Sequence, residues 1–178
     1  MSHSASATIS EEEFLELPTT TEKVELVDGE IIVSPSPSFG HQRMLLRLVR
    51  ALDDWCVQSE QTATVVMAPM DVRFAPGRIL QPDACLSFAP APDDQTAILE
   101  RVPELCVEVL SSRRSYDRLT KRLIYAEAGV RELWTVSTDG KAERWSGESL
   151  SERTLLEDVL TSELLRGFAF DLKSSSRT

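Results

Sequence analysis

The sequence is poor in the features that mark several protein classes. It has only three cysteines, Cys56, Cys85 and Cys106, odd in number, scattered, and never spaced as a CxxC pair. That argues against a disulfide framework and against structural zinc. Each lies in an apolar stretch and reads as a buried free thiol. No apolar run approaches the ~18 residues of a membrane span, and residues 1–8 carry neither the basic nor the greasy region of a signal peptide. A cytoplasmic protein without membrane contact is expected. Positive charge is also scarce: 19 Lys plus Arg against 29 Asp plus Glu leave a net charge of −10, with a pI near 4.7. That argues against a broad basic face for coating duplex DNA, though not against a local cluster of Arg and Lys beside an acidic site.

What the chain does have is the composition of a folded globule, with 42% hydrophobic and 27% charged residues over a length of 178. A chain of that length buries roughly 70% of its unfolded surface. The expected organisation is a disordered tail over residues 1–9, a single domain over residues 10–172 and a polar tail over residues 173–178. Ser10-Glu11-Glu12-Glu13 is a capping-box pattern that opens a short helix through Phe14, Leu15 and Leu17, stopped by Pro18. Val24-Glu25-Leu26-Val27 and Ile31-Ile32-Val33 flank Asp28-Gly29, a hairpin signal because that dipeptide accepts the positive φ of a type I′ turn. Ser34-Pro35-Ser36-Pro37 ends the strand and offers a Ser cap followed by Pro at the first helical position.

The long helix that follows is the clearest element. Met44, Leu45, Leu48, Val49, Leu52, Trp55 and Cys56 recur at three- and four-residue steps, with Arg43, Arg47, Arg50 and Asp54 off the stripe. Strands are expected over 64–67, 70–75 and 78–88, then an exposed loop over 89–94. Leu105-Cys106-Val107-Glu108-Val109-Leu110 is an apolar run of the kind found in a strand covered on both sides. A second helix over about 114–128 stops at Gly129. A second Asp-Gly turn joins Leu133–Val136 to Ala142–Trp145, and the tail adds a short helix and a final strand. The pattern predicts an α/β protein, one mixed sheet with helices packed on it and a hairpin near the N-terminus.

Glu108 is the most informative residue. It interrupts a strand whose neighbours call for burial, where a lone ionised carboxylate costs several kcal/mol or more, so it must be paired, hydrogen-bonded, protonated or metal-bound. The plainer alternative is a strand-end Glu that reaches solvent or an Arg. Asp83 follows Gln81-Pro82 in another apolar segment, and a proline without an N–H implies a strand end, an edge or a bulge, where a carboxylate can face a cleft. It also reads simply as a turn Asp. Two carboxylates on adjacent strands suit Mg²⁺, which prefers oxygen ligands and keeps several waters. Asp117, Lys121 and Tyr125 fall along one helix face. That face is either an exposed ion pair or, if it overlooks Glu108, an ammonium able to orient water or steady charge on a phosphoryl group.

Together the residues resemble a known family. Glu25-Leu26-Val27-Asp28-Gly29-Glu30, Ser34-Pro35 with His41-Gln42, Gln81-Pro82-Asp83, Val107-Glu108-Val109-Leu110-Ser111, Asp117-Arg118, Lys121, Tyr125-Ala126, Gly129-Val130 and Glu132-Leu133-Trp134 occur in one order. This ordered set, over about residues 10–172, is similar to the Uma2 family of restriction-endonuclease-like proteins. The resemblance implies the fold of the PD-(D/E)xK nuclease superfamily and a metal-dependent endonuclease that hydrolyses phosphodiester bonds of nucleic acid. It implies Mg²⁺, or Mn²⁺, held by Asp83, Glu108 and the backbone carbonyl of Val109. Leu110 stands at the usual lysine position, so Lys121 is the candidate for a relocated catalytic lysine. Glu30, His41, Gln81 and Tyr125 are candidates for supporting or substrate contacts. Each also has a plain reading, in turn an exposed strand residue, a helix-start histidine, a strand side chain and a core tyrosine. Trp134 and Trp145 read as packing residues.

The alternative is a catalytically inactive nuclease-fold module that binds, or that acts as a homodimer through exposed strand edges. A homodimer is the expected assembly, and nucleic acid the expected partner. The deficit of basic residues and the displaced lysine favour the inactive version.

Overall fold

The computed structural model describes residues 8–18, 20, 22–110 and 115–173, and the side chains of all of these except 115–118. The N-terminal helix α1 (Glu11–Leu15) carries the expected capping box: the Ser10 side chain accepts from the Glu13 N–H, and Glu13 accepts from the Ser10 N–H. It stops before Leu17, which is exposed. Ile9 is not frayed. Its N–H donates to the Gly29 carbonyl at 2.9 Å, and its side chain packs on the Phe14, Leu26 and Ile79 cluster. The rest of the expected N-terminal tail, residues 1–7, and residues 174–178 of the polar C-terminal tail lie outside the described residues.

Strands β1 (Lys23–Val27) and β2 (Glu30–Ser34) form the hairpin, with Val27 opposite Glu30. Asp28 and Gly29 have φ of 50° and 89°, the two positive values that a type I′ turn requires. The long helix α2 (Phe39–Gln58) is capped by Ser38, whose side chain accepts from the His41 N–H. Neither Ser34 nor Ser36 caps it, since Ser34 is still paired in β2.

The middle of the chain supplies β3 (Thr64–Met67), β4 (Asp71–Ala75), β5 (Arg78–Leu80), β6 (Ala84–Ser87), β7 (Ile98–Leu99) and β8 (Leu105–Leu110). After these come helix α3 (Ser115–Ala128), β9 (Glu132–Ser137), β10 (Lys141–Ser146), β11 (Glu152–Glu157), β12 (Val159–Thr161) and β13 (Ala169–Asp171). Instead of one mixed sheet, the described residues form three: a five-stranded sheet ordered β2-β1-β5-β4-β7, a six-stranded one ordered β11-β10-β9-β8-β6-β3, and the β12-β13 pair. The physical reason lies at Gln81-Pro82-Asp83. The expected 78–88 strand breaks there because Pro82 has no N–H for a ladder, and the chain leaves the five-stranded sheet (β5) for the six-stranded one (β6).

The part of the tail with Leu155, Leu156, Val159 and Leu160, where a short helix is expected, is instead two strands, Glu152–Glu157 and Val159–Thr161. Thr154 and Leu156 are half-buried on alternate positions of β11, a period of two, and Asp158 at φ 74° turns the chain into β12.

The six-stranded sheet is covered on both faces. Leu45, Leu48 and Leu52 of α2 pack with Leu86, Val107 and Trp134 on one side. Ile124 and Tyr125 of α3, with Val72, Phe74 and Leu80 of the other sheet, pack on Cys85, Cys106 and Leu133 on the opposite side. Strand alternation thus assigns Asp83 and Glu108 to the side of Cys85 and Cys106, facing α3.

Candidate functional site

In the antiparallel β6–β8 pairing, Cys85 stands opposite Cys106 and Ala84 opposite Val107, so the next pair outward is Asp83 and Glu108. Opposite residues in such a pair project to the same face, and here both side chains reach one ammonium. Lys23 Nζ lies 3.0 Å from Asp83 Oδ1 and 3.9 Å from Glu108 Oε2. The other Asp83 oxygen, Oδ2, accepts the Val109 N–H at 2.8 Å and lies 3.0 Å from His41 Nε2. The other Glu108 oxygen, Oε1, accepts from Tyr125 Oη at 2.5 Å and from Lys121 Nζ at 3.3 Å. The helix face expected to overlook Glu108 does so at Lys121 and Tyr125; the side chain of Asp117 lies outside the described residues, as does the whole of Ser111.

A third carboxylate completes the cluster. Glu25, fully buried on β1, accepts from Lys121 Nζ and from the Gln81 N–H, each at 2.9 Å. Gln81 Nε2 donates to Asp71 Oδ1 at 2.9 Å. Glu25 Oε2, Gln81 Oε1 and His41 Nδ1 are buried without a hydrogen-bond partner among the described residues. The group sits at the junction of the two large sheets. It opens on a cleft of about 590 Å³ whose walls include the Ser34–Ser38 segment, Pro69, Gln81 and Leu110.

The environment drives the two central carboxyls apart. Burial pushes Glu108 upward, only partly offset by the Lys121 and Lys23 charges. Burial also acts to raise Asp83, but the His41 hydrogen bond and the Lys23 charge outweigh it and hold the carboxyl below the usual range. Tyr125 is pushed well up, by burial first and then by the Glu108 charge, so its hydroxyl stays a donor to Glu108. A pair of carboxyls separated in this way is the arrangement that divides acid and base roles.

Lys121, Asp83, Glu108, Val109, His41, Gln81 and Tyr125 therefore come together. Glu30 does not: it is exposed at the start of β2, and the buried hairpin carboxylate is Glu25. Lys23 and Glu25 are the residues sequence reasoning missed. At positions i and i+2 of a strand they look like its solvated face, and only the closing of α3 over β1 turns that face inward. The arginines of α2 stay outside: Arg43 lies against the exposed Phe39 ring, Arg47 donates to the Asp171 carbonyl at 2.5 Å, and Arg50 is exposed. Trp134 is buried against Phe168 and Trp145 lies between Arg122 and Arg153, both packing roles. Cys85 and Cys106 are buried free thiols, and burial pushes Cys85 up to about 12; Cys56 is free and half-buried. No helix among the described residues is long and apolar enough to cross a membrane.

No curated protein matches this chain. Among solved structures, a protein from Anabaena variabilis described as a "putative nuclease belonging to DUF820" is 19% identical and aligns with a TM-score of 0.76, over 93% of this chain and 96% of that one. The likeness shows the fold: a restriction-endonuclease-like mixed α/β architecture with its N-terminal hairpin. A family model described as "Putative restriction endonuclease" matches residues 11–173, nearly the whole length, and the chain belongs to that family, Uma2.

Proposed function

We propose that the cleft hydrolyses phosphodiester bonds of nucleic acid with a divalent cation, Mg²⁺ or Mn²⁺, held by Asp83, Glu108 and the backbone carbonyl of Val109. The observation that carries this reading is the convergence of Asp83 and Glu108 on one point, marked by the Lys23 ammonium, at the mouth of a cleft. The donor set fits. Mg²⁺ takes one or two carboxylates and retains waters, so two side chains and a main-chain carbonyl are enough; no cage of three or more His, Cys, Asp or Glu side chains is found among the described residues. The unpartnered Glu25 Oε2 adds a negative field that favours a cation nearby. When bound, the cation would lower the pKa of a water and polarise the phosphoryl oxygen.

The protein's own groups have separable tasks. His41 and the Val109 N–H fix one Asp83 oxygen and leave the other toward the cleft. Tyr125 and Lys121 do the same for Glu108. Lys121, compensating Glu25 and Glu108 together, is assigned the water-orienting and charge-stabilising role that Leu110 cannot fill. Asp83→Ala and Glu108→Ala are each expected to reduce metal-dependent cleavage by about a thousandfold or more, with circular dichroism and melting unchanged in form. Equal cleavage by wild type and both variants would exclude the assignment.

A second reading, an inactive nuclease-fold binding module, is favoured by one observation: three protein donors already engage Asp83. The net charge of −10 points the same way. Calorimetric titration with Mg²⁺ separates the two, since the inactive module takes up none.

A further inference from the structure

Four oxygens belong to Asp83 and Glu108, and they are not equivalent. Asp83 Oδ2 is taken by His41 and the Val109 N–H, and Glu108 Oε1 by Tyr125 and Lys121. The remaining two, Asp83 Oδ1 and Glu108 Oε2, both face Lys23 Nζ. The two lysines of the site also differ in access: the Lys23 side chain is 20% exposed and Lys121 only 7%. Lys23 is the first residue of β1, and its four-carbon stem carries a compact charge on a flexible arm. Lys121, by contrast, is sealed between Glu25 and Glu108.

We propose that Lys23 is a resident cation that a divalent metal must displace from between Asp83 and Glu108, and that it thereby sets the metal affinity of the cleft. The inference rests on the metal-site reading above. A divalent ion held by Asp83 Oδ1 and Glu108 Oε2 would need the place the ammonium now holds, 3.0 Å from the first oxygen and 3.9 Å from the second, and two cations in that gap repel. The lysine-in and metal-bound states therefore exclude each other. The apparent affinity for metal falls by the fraction of molecules in which Lys23 has swung out. Lys121 is not exchanged in this way, because leaving would strand two buried carboxylates at once.

The test uses the full chain, Mn²⁺ as probe and no nucleic acid, with free Mn²⁺ read by electron paramagnetic resonance. Lys23→Met is expected to bind Mn²⁺ about tenfold more tightly than wild type, as removal of a competing state that is roughly nine-tenths populated requires, and Asp83→Asn to bind none. Wild-type binding with equal or weaker binding by Lys23→Met overturns the displacement while leaving the metal site standing. Absence of binding in both overturns the metal site itself, and this inference with it. A measurement on the wild type does not depend on the variant folding: acetylation of Lys23 by acetic anhydride, followed by mass spectrometry, rises as Mn²⁺ is added. Reactivity that falls or stays level overturns the displacement.

Discussion

Glu25 and Glu132 are withdrawn from water to the same degree, 0% and 1% exposed, yet their surroundings differ in kind. Glu132, at the start of β9, meets only neutral donors among the described residues: Trp134 Nε1 at 2.6 Å on one oxygen, and the N–H groups of Glu163 and Leu164 at 3.2 and 3.1 Å on the other. Both of its oxygens are satisfied, and it pins the 162–165 turn to the sheet. Glu25 instead shares the Lys121 ammonium with Glu108 and has one oxygen without a partner among the described residues. Burial alone thus does not mark a functional carboxylate. Cationic compensation and an oxygen without a partner among the described residues distinguish Glu25 from the structural Glu132.

Two substitutions probe this contrast. The largest effect is expected from Lys121→Met, which leaves Glu25 and Glu108 buried without their ammonium and should lower unfolding stability by about 3–5 kcal/mol, read by urea denaturation. A loss below about 1 kcal/mol would mean that the ammonium is not what compensates them. Glu132→Ala removes the acceptor of three N–H donors and should cost about 2–3 kcal/mol, while Mn²⁺ binding by the folded protein stays as in wild type. Loss of metal binding in that variant would erase the distinction between the two centres.

The subtlest test is the order of protonation. Asp83 is depressed, so its contribution to stability is present above the ordinary carboxylate range and lost as pH falls through its lower native value. Glu108 is raised, so its ionisation works against the fold as pH rises through its higher native value. On acidification, carboxyl ¹³C NMR should show Glu108 protonating first and Asp83 last; the reverse order would mean that the ascribed electrostatics are inverted.

Much of the frame was legible in the sequence because its signals are local. The capping box needs two side chains three residues apart, and the Asp28-Gly29 turn needs two residues that tolerate positive φ. The apolar stripe of α2 needs only helical spacing. Glu108 and Asp83 stand out in the sequence as charges inside apolar runs, and Lys121 and Tyr125 by their spacing on α3. The tail reads as helix in sequence because Leu155, Leu156, Val159 and Leu160 fit a helical spacing as well as an alternating one; pairing of β11 with β10 and of β12 with β13 selects strands.

By itself the sequence determined the hairpin, the two long helices, the apolar central strand with Glu108 inside it and the Pro82 break beside Asp83, all set by interactions within a few residues. Only the tertiary structure decided that the chain changes sheets at Pro82, that the Lys23 and Glu25 face of β1 turns inward while Glu30 stays in water, and that His41 reaches Asp83 from 42 residues away. Those outcomes depend on which faces pack together, because a strand's two sides exchange roles according to what covers them and no local spacing carries that information.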